Sequence, residues 1–401
     1  MVGKRLIHAI ALTDFLSYGG GMDEFELQPL NVLIGPNSSG KSNLLEAISL
    51  LQAAPTAIAA PLQEGGGAAQ WMWKGRPPQD PGAQVWVLVG YRRTSLAYRF
   101  TFVATNDRFS LLDEGLVGPG PSADWDNTVV YYDYDPRKPK ALAAPGGARG
   151  TGGARQEVEL DKKQFLEDES ILTQLKDATR FPEITYVGRQ FGRIRLYRGW
   201  YVGRDSEVRR PQRADLANDF LASNAHNLAL VVNNLESTTS TMDVLVPWLQ
   251  RFYEPVRKIT TRVSGGTVEL LFHERGLRQP IPATRLSDGT LRYLCLLAVL
   301  CHPSPPPLVC IEEPEVGLHP DALPAVAELL VEASQRTQLI VTTHSDRLVS
   351  ALSGVPEAVV VCERTDEGTE LRRLEPDRLK EWLERYSLGE LWSMGEIGGN
   401  P

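Results

Sequence analysis

Short apolar runs alternate with helical periodicity along the first third of the chain. Four runs have the length and the aliphatic and aromatic content of strands: Leu6–Leu12, Leu30–Ile34, Val85–Tyr91 and Ala97–Ala104. A strong helical pattern begins at Lys41, shortly after the second of these runs. Because strands and a helix follow each other so closely, residues 1–135 are predicted to form an α/β lobe that includes antiparallel strands.

The composition changes twice in the middle of the chain. Residues 136–156 are biased to glycine, proline and alanine, which cannot bury an apolar face, and they are predicted to form a flexible loop. Residues 157–256 are more polar and more helical, and the apolar positions within Asp215–Leu235 recur at helical spacing. We interpret this stretch as a mainly helical insertion that carries an arginine-rich segment.

The strand signal returns in the last third of the chain. Ile259–Val263 and Thr267–His273 are joined by the turn residues Ser264-Gly265-Gly266, a pattern typical of a β-hairpin. A helix, a buried strand and another helix and strand follow, and Asp377–Leu391 has the pattern of a short amphipathic helix. Residues 257–401 are therefore predicted to form a second lobe of the same α/β unit.

The composition excludes disordered, collagen-like and fibrous proteins. The chain has 401 residues, 42% of them hydrophobic, and a formal net charge of −8. These values match a globular protein with a large core, and the net acidity argues against general coating of nucleic acid by bulk charge. We find no signal-peptide pattern and no apolar run long enough for a membrane helix, so we expect a cytoplasmic protein without a membrane partner. Four cysteines in apolar runs are predicted to be buried, reduced thiols: Cys295, Cys301, Cys310 and Cys362.

The most informative pattern is a glycine-rich loop between a strand and a helix. It matches G-x-x-x-x-G-K-[ST] and leads into Asn43 at the helix start: Gly35, Pro36, Asn37, Ser38, Ser39, Gly40, Lys41 and Ser42. The glycines let backbone N–H groups turn towards phosphate oxygens, and the helix N-terminus favours anionic charge. Lys41 can reach the β- and γ-phosphates and Ser42 can ligate Mg²⁺, so the loop predicts a nucleoside triphosphate site.

Two later apolar runs end in polar side chains: Leu308–Ile311 precedes Glu312 and Glu313, and Leu339–Thr343 precedes His344. Ligands bind beyond the carboxyl ends of parallel strands, so these side chains are expected at the phosphate site. Glu312 is predicted to hold the Mg²⁺ shell, and Glu313 to orient or deprotonate the attacking water. His344 is predicted to contact the γ-phosphate. Solvated acids and a structural histidine are the alternatives, and Glu315 receives no role.

A helix start lies at Leu286–Thr290, where Ser287 is a suitable N-cap. Alone, Ser287, Asp288 and Gly289 predict only a capped helix. In the order phosphate loop, capped helix, paired glutamates and histidine, however, the chain resembles the ABC-type ATPase heads of the RecF, SMC and OLD families. The closest likeness is to RecF-like bacterial AAA-type ATPases, and it spans nearly the whole chain.

The resemblance implies an α/β P-loop NTPase of the ABC/SMC-head type, with a parallel core sheet and an antiparallel β-subdomain. It also implies that two ATP molecules lie between the Walker A loop of one protomer and the signature of the other. Ser287, Asp288 and Gly289 are then expected beside ATP in trans, and the protein is expected to form a homodimer on binding ATP. The residues that the resemblance marks as catalytic are Lys41, Glu313 and His344.

Departures from transporter-type ABC proteins point to the RecF and OLD branch. Asp288 and Thr290 stand where transporter signatures carry Gly and Gln, and Glu312 replaces the commoner Asp at the metal position. The glutamine that should reach the metal is not identifiable, and Gln63 and Gln70 are the candidates.

The spacing of the motifs predicts a compact head. Lys41 and Ser287 are 246 positions apart without sustained heptads, so no long coiled coil is expected. Only 57 residues follow His344, too few for an added Toprim nuclease domain.

The arginine-rich segment Arg189–Arg213 holds eight arginines against Asp205 and Glu207. Arginine forks suit phosphates, so the segment is a candidate contact for duplex DNA, with aromatic side chains that either stack on bases or fill a core: Phe191, Tyr197, Trp200 and Tyr201. Two functions stay open. One is a DNA-linked ATPase of repair or genome maintenance, and the other is a regulatory ATPase of an anti-phage or toxin-like module that gates a separately encoded nuclease or other effector.

Overall fold

The computed structural model describes residues 3–75, 82–105, 108–119, 128–134, 141–143, 158–160, 168–237 and 241–399. Its strands are β1 Ile7–Thr13, β2 Phe25–Glu26, β3 Leu30–Ile34, β4 Ala83–Tyr91, β5 Thr94–Thr105, β6 Arg108–Gly118, β7 Val129–Tyr134, β8 Ala141–Ala143, β9 Val158–Leu160, β10 Arg195–Tyr197, β11 Gln212–Arg213, β12 Val256–Ser264, β13 Thr267–Glu274, β14 Ile281–Pro282, β15 Leu308–Glu312, β16 Gln338–Thr342, β17 Val359–Thr365 and β18 Gly368–Arg373. Its helices are α1 Lys41–Ala53, α2 Ala60–Glu64, α3 Ile171–Gln174, α4 Pro182–Phe191, α5 Leu228–Ser237, α6 Thr241–Phe252, α7 Asp288–Leu300, α8 Leu323–Ser334, α9 Asp346–Ser350, α10 Pro376–Leu383 and α11 Leu388–Ser393.

A six-stranded sheet in the order β10-β15-β16-β3-β17-β18 forms the centre of the molecule. The pairs from β10 to β17 are parallel, and β18 is antiparallel to β17. Successive side chains of these strands face two different cores: Val32 and Val341 lie in one, and Leu33 and Ile340 in the other. Burial of both faces explains why the inner strands β15 and β16 are mainly apolar in the sequence.

Two antiparallel sheets accompany the central sheet. The larger has the order β2-β1-β4-β5-β6-β7-β8-β9, and its buried residues share one core with those of α1 and α4. The smaller contains β11, β13 and β12 with β14 on β13, and it shares the other core with α5 to α8. The predicted hairpin joins β12 to β13, and both residues of its turn, Gly265 and Gly266, have positive φ (57° and 76°), as glycine allows. The α/β architecture predicted from the motifs is therefore confirmed.

Two predicted helices are wrong in extent. In the segment 215–235 only the part from Leu228 onward is helical, because the Asn227 amide donates to the carbonyls of Ala217 and Phe220 and holds the preceding chain in turns. In the segment 377–391 the chain forms α10 and α11 instead of one helix. Ser387 starts the second helix with a capping box, its side chain and that of Glu390 each bonding the other's backbone N–H.

The predicted insertion and loop also differ from the structure. Within the predicted insertion 157–256, strand β10 pairs with β15 in the central sheet, so this stretch is part of the core rather than a separate helical addition. Within the predicted loop 136–156, residues 141–143 form a strand that pairs with β7, while 136–140 and 144–156 lie outside the described residues. The four cysteines are buried and free, as predicted. No helix in the described part of the chain has the length and apolar character needed to cross a bilayer.

Candidate nucleotide site

The glycine-rich loop connects β3 to α1, and two of its residues must be glycine. Gly35 has a φ of 148°, and a Cβ added there would lie 2.3 Å from the carbonyl oxygen of Cys362. Gly40 has a φ of 100°, and its Cβ would lie 2.3 Å from Thr369 Oγ1. The motif glycines therefore allow both the left-handed backbone and the close approach of β17 and β18 to the loop.

Three residues outside the motif support the loop from beneath. The Tyr18 hydroxyl donates to the Gly40 carbonyl at 3.1 Å, and Thr369 Oγ1 donates to the Ser39 carbonyl at 3.0 Å. Ser17 Oγ accepts a hydrogen bond from the Asn43 side chain at 2.8 Å and, with Thr369 Oγ1 committed to Ser39, donates to Thr369 Oγ1 at 2.7 Å. Ser17, Tyr18 and Thr369 come from distant positions in the chain and belong to no motif, so no pattern in the sequence indicates their role.

The polar groups of the loop are arranged for an anion. The buried Lys41 ammonium donates to the carbonyls of Gly35 and Pro36, at 2.7 and 2.8 Å, which holds it against the loop. Burial lowers the pKa of Lys41, and the charges of Glu313 and Glu312 partly oppose this effect. The predicted phosphate-binding residues Asn37 and Ser38 form the exposed tip of the loop, and Ser39 Oγ is buried without a hydrogen-bond partner in the described structure.

Ser42 and Glu312, the predicted metal ligands, are brought together. The Ser42 hydroxyl at the first turn of α1 donates a hydrogen bond to Glu312 Oε1 at the end of β15. A hydroxyl and a carboxylate oxygen are the hard ligands that Mg²⁺ prefers, and Mg²⁺ usually keeps several waters in addition. The pair therefore fits a Mg²⁺ site of the kind predicted.

Glu313 and His344 lie on the same edge of the central sheet. The carboxylate of Glu313 is 3.8 Å from His344 Nε2, and both side chains are partly exposed. Glu313 has a φ of 46°, which is uncommon for a residue other than glycine, and its N–H donates to the Thr342 carbonyl at 3.0 Å. Backbone strain of this kind is concentrated at functional sites, where the surrounding structure fixes a side chain in one direction.

Glu315, which received no role from the sequence, anchors the histidine. Its Oε1 accepts hydrogen bonds from Thr343 Oγ1 at 2.7 Å and from the backbone N–H of His344 at 2.8 Å. Its Oε2 is buried without a hydrogen-bond partner among the described residues. Glu315 therefore fixes the backbone on which His344 stands, and the only signal for it in the sequence was its position two residues after Glu313.

The signature residues begin α7, as predicted. Ser287 is the N-cap: its Oγ accepts from the Thr290 N–H at 3.1 Å. Asp288 is paired with the buried Arg209, and a Cβ on Gly289 would lie 3.2 Å from the carbonyl oxygen of Gly317. In the described structure these contacts link the signature to its own neighbourhood, and none of them is with the glycine-rich loop.

The guanidinium of Arg209 holds the signature loop in place. Its Nε donates to the Val202 carbonyl at 2.8 Å, and its Nη1 donates to the Leu286 carbonyl at 2.6 Å. Together with Asp288, these partners occupy the whole fork of a side chain that is only 6% exposed. Arg209 is therefore a structural residue, not a nucleic-acid contact.

Many side chains of the arginine-rich segment are part of the core or form ion pairs with nearby acids, so they have structural roles. Its aromatic residues Phe191, Tyr197 and Trp200 are core residues, whereas Tyr201 is 71% exposed. Two exposed arginines have acidic partners: Arg198 pairs with Glu46 at 2.7 Å, and Arg213 pairs with Asp215 at 2.6 Å. The exposed remainder consists of Arg189, Arg193, Arg204 and Arg210.

The candidate metal-reaching glutamines do not join the site. Gln63 is exposed on α2, and Gln70 is exposed in a short 3₁₀ helix, where it accepts a hydrogen bond from Lys74. In the described structure, neither side chain makes a hydrogen bond with the Ser42–Glu312 pair.

The parallel sheet, the glycine-rich loop and the carboxylates at the end of β15 are the arrangement of a P-loop nucleotide-binding domain. A family model described as "AAA domain, putative AbiEii toxin, Type IV TA system" matches residues 30–350, and the chain belongs to this family. A search of curated protein sequences gives no match.

Solved SMC heads share the fold. The Smc head bound to the C-winged helix domain of ScpA is 12% identical, with a TM-score of 0.58 over 94% of this chain and 99% of that one. The Smc head with an extended coiled coil bound to the C-terminal domain of ScpA, from Pyrococcus furiosus, is 13% identical, with a TM-score of 0.54 over 94% and 98%. The Smc head with a coiled coil and joint from Pyrococcus yayanosii is 10% identical, with a TM-score of 0.52 over 94% and 99%. The predicted fold class is thereby confirmed.

Proposed function

We propose that the protein binds ATP with Mg²⁺, hydrolyses it, and forms a homodimer in the ATP-bound state. The observation that supports hydrolysis best is the cluster at one edge of the central sheet, where Ser42 bonds Glu312 and Glu313 lies 3.8 Å from His344. Phosphoryl transfer needs mainly positioning and charge stabilisation, and these four side chains with Lys41 provide groups for both.

The residues divide the work by their chemistry. The N–H groups of the loop and the Lys41 ammonium bind the phosphate oxygens of ATP. Ser42 and Glu312 would hold Mg²⁺, which would supply charge neutralisation to the bound phosphates. Glu313 orients a water molecule and accepts its proton, and His344 donates a hydrogen bond to the γ-phosphate.

The dimer follows from the position of the signature. Ser287 begins α7 with N–H groups suited to an anion, yet its described contacts are not with the glycine-rich loop of the same chain. A second protomer that brings its loop to this helix start would enclose an ATP at each of two equivalent sites. Contact with the γ-phosphate would then couple ATP binding to dimerisation, and hydrolysis would release the dimer.

A matched pair of substitutions tests the composite site. Ser287→Asp and Ser287→Asn both keep a residue that caps helices well, so both should fold with wild-type stability. The aspartate places a negative charge beside the γ-phosphate, whereas the asparagine is neutral. We expect ATP to dimerise the Asn variant but not the Asp variant, measured by light scattering after size exclusion with a non-hydrolysable ATP analogue.

A separate measurement tests nucleotide binding itself. Lys41→Ala should abolish ATP binding, whereas Lys74→Ala, an exposed lysine near the same lobe, should leave it unchanged. Equal dimerisation of the two Ser287 variants would remove the composite site from the proposal, and ATP binding by Lys41→Ala would remove the loop assignment.

We further propose that the head belongs to the RecF and OLD branch and acts on DNA in repair or genome maintenance. The exposed arginines of the segment 189–213 support this role. The family description supports the second candidate, a defence or toxin-like module in which the nucleotide state gates a separate effector. ATP-dependent, salt-sensitive binding of duplex DNA would favour the first function, and ATP-dependent co-purification with the product of an adjacent gene would favour the second.

A further inference from the structure

A large cleft lies at the edge of the central sheet opposite the nucleotide site. It has a volume of about 1060 Å³ and is bordered by the start of β1, the turn between β4 and β5, the end of α4 and the loop 303–307. That loop enters β15 at Leu308, whereas Glu312 of the nucleotide site ends the same strand. The cleft is therefore a separate site.

The lining of the cleft is basic, although the chain as a whole has a net charge of −8. No Asp or Glu lines it among the described residues, and six cationic side chains do: Lys4, Arg5, Arg92, Arg93, Arg193 and Arg336. Arg5 pairs with Glu26 at 2.6 Å and Arg336 with Glu332 at 3.2 Å, both acids being outside the lining. The other four cations have no salt bridge in the part of the chain that the structure describes.

Two of these arginines occupy a strained turn. Arg92 and Arg93 are the only two residues between β4 and β5, both are exposed, and Arg92 has a φ of 54°. Two-residue hairpin turns favour Gly, Asn or Asp where φ is positive, so an arginine here is a costly choice for folding. Retained strain at a residue of this kind indicates a function for its side chain.

The remaining lining contains hydrogen-bonding groups and two tyrosines. Tyr91 is buried and Tyr186 is partly exposed; their rings are 4.9 Å apart at 67°, and the Arg92 guanidinium lies 5.1 Å from the centre of the Tyr91 ring. His8 Nδ1 and Ser95 Oγ form a hydrogen bond at 3.0 Å. Cations that follow a backbone, combined with aromatic rings, are the features of surfaces that bind single-stranded nucleic acids.

We propose that this cleft binds the phosphodiester backbone of a single-stranded nucleic acid, independently of the nucleotide site. A duplex needs a broad flat or concave basic face, whereas these cations line a cleft. The cleft volume is slightly above the roughly 300–1,000 Å³ of small-molecule pockets, so the cleft can take a short stretch of a single strand. The choice of ligand rests on the proposed action on nucleic acid, but ATP binding and dimerisation are not needed for it.

The test measures the anisotropy of a labelled single-stranded DNA of about 15 nucleotides, titrated with the full chain at several salt concentrations. The variant is Arg92→Gly with Arg93→Ala, because glycine suits the positive φ and should keep or raise the melting temperature. Each cation lost should reduce the slope of log K against log salt by about 0.7 for a single strand. For the loss of two cations, this corresponds to about 25-fold weaker binding at about 0.1 M salt.

Two double variants with the same loss of charge serve as controls. Lys380→Ala with Arg385→Ala removes two exposed cations near α10 and should leave the slope unchanged. Arg257→Ala with Lys258→Ala removes two exposed cations of β12 outside the cleft, and it should also leave the slope unchanged. A second cleft variant, Arg93→Ala with Arg193→Ala, leaves Arg92 in place and should match the first.

Single-stranded RNA, duplex DNA and inorganic polyphosphate are tested as competitors. Stronger competition by either single strand than by the duplex supports the proposal. The ratio of the affinities for single-stranded DNA and RNA identifies which of the two is the ligand. No binding by the wild type, an equal loss in the control variants, or stronger competition by duplex or polyphosphate would overturn it. Unchanged ATP-dependent dimerisation of the cleft variants separates this outcome from a failure of the proposed ATPase function.

Discussion

Replacement of Glu315 tests whether the anchor of His344 matters for turnover. Glu315→Ala removes the acceptor of two hydrogen bonds, from Thr343 Oγ1 at 2.7 Å and from the His344 N–H at 2.8 Å. The loop that carries His344 then loses its fixed position, while the glycine-rich loop and Lys41 keep all of their described contacts.

The size of the effect follows from the charge of the acceptor. A hydrogen bond to a charged group contributes about 1.5–3 kcal/mol. If the loss of about one such bond appears fully in the transition state, kcat falls roughly 10- to 150-fold. Glu315→Gln is the matched variant, because both donors meet the same oxygen, Oε1, and the other oxygen has no hydrogen-bond partner in the described structure. The glutamine keeps the acceptor oxygen but not its charge, so it should lose less activity than the alanine.

The assay is steady-state phosphate release, with ATP affinity measured separately by fluorescent-nucleotide displacement. We expect Glu315→Ala to lose kcat with an unchanged Kd for ATP, and Glu315→Gln to have a kcat between those of the alanine variant and the wild type. An alanine variant with wild-type kcat and melting temperature would show that His344 needs no such anchor. If both variants lost activity equally, the negative charge of Glu315, rather than its acceptor geometry, would be the important property.

Four further outcomes are expected. Glu313→Gln should bind ATP but release phosphate at least about 100-fold more slowly and accumulate dimer; wild-type turnover would remove its role as base. Gly40→Ala should weaken ATP binding, because its Cβ would lie 2.3 Å from Thr369 Oγ1. Gly66→Ala is the control at a similar φ, because the nearest atom to its Cβ is 3.5 Å away. Equal ATP affinities of the two variants would contradict this. Arg209→Lys should lower the melting temperature and ATP-driven dimerisation, with Arg210→Lys as the exposed control; an unchanged melting temperature would contradict the clamp. Burial raises the pKa of Glu114 to about 7. As pH rises from about 4.5 to 7, the wild type should therefore lose up to about 3 kcal/mol of unfolding free energy relative to Glu114→Gln. Parallel pH profiles of the unfolding free energy for the two proteins would refute this.

The sign of the Glu114 effect follows from its burial. The carboxyl group is 1% exposed and is held by the hydroxyls of Tyr98 and Ser170 and by the N–H of Ile171. Because burial penalises the charged form most, the folded state binds the proton more tightly than the unfolded state does. Its contribution is therefore fully present below the ordinary pKa of a glutamate, and it is lost as pH rises through that value to about 7.

The central sheet was predictable because its signals are local. The runs that form β3, β15 and β16 are mainly apolar, with Asn31 as the polar residue inside β3, since both faces of these strands are buried. The helix boundaries were less predictable, because they depend on single side chains. Asn227 and Ser387 end or begin helices through hydrogen bonds that apolar periodicity does not register.

The arginine-rich segment shows why charge along a sequence does not define a surface. Its eight arginines lie close together in the chain, but they have different structural roles. Arg209 is buried beneath the signature, Arg198 is tied to Glu46, and Arg193 lines the basic cleft. Sequence can count such residues, but the fold decides which of them meet.

The two edges of the central sheet explain why one site was visible in the sequence and the other was not. In a parallel sheet every strand points the same way, so the segments that follow β3, β15 and β16 all meet at one edge. Each of those segments carries a motif, which is why Lys41, Glu313 and His344 could be placed together before the fold was known. The segments that precede the strands meet at the opposite edge, where the basic cleft combines side chains from separate parts of the chain. Their charge becomes concentrated only on folding, so an acidic chain can carry a focused site for an anion while its net charge gives no sign of it.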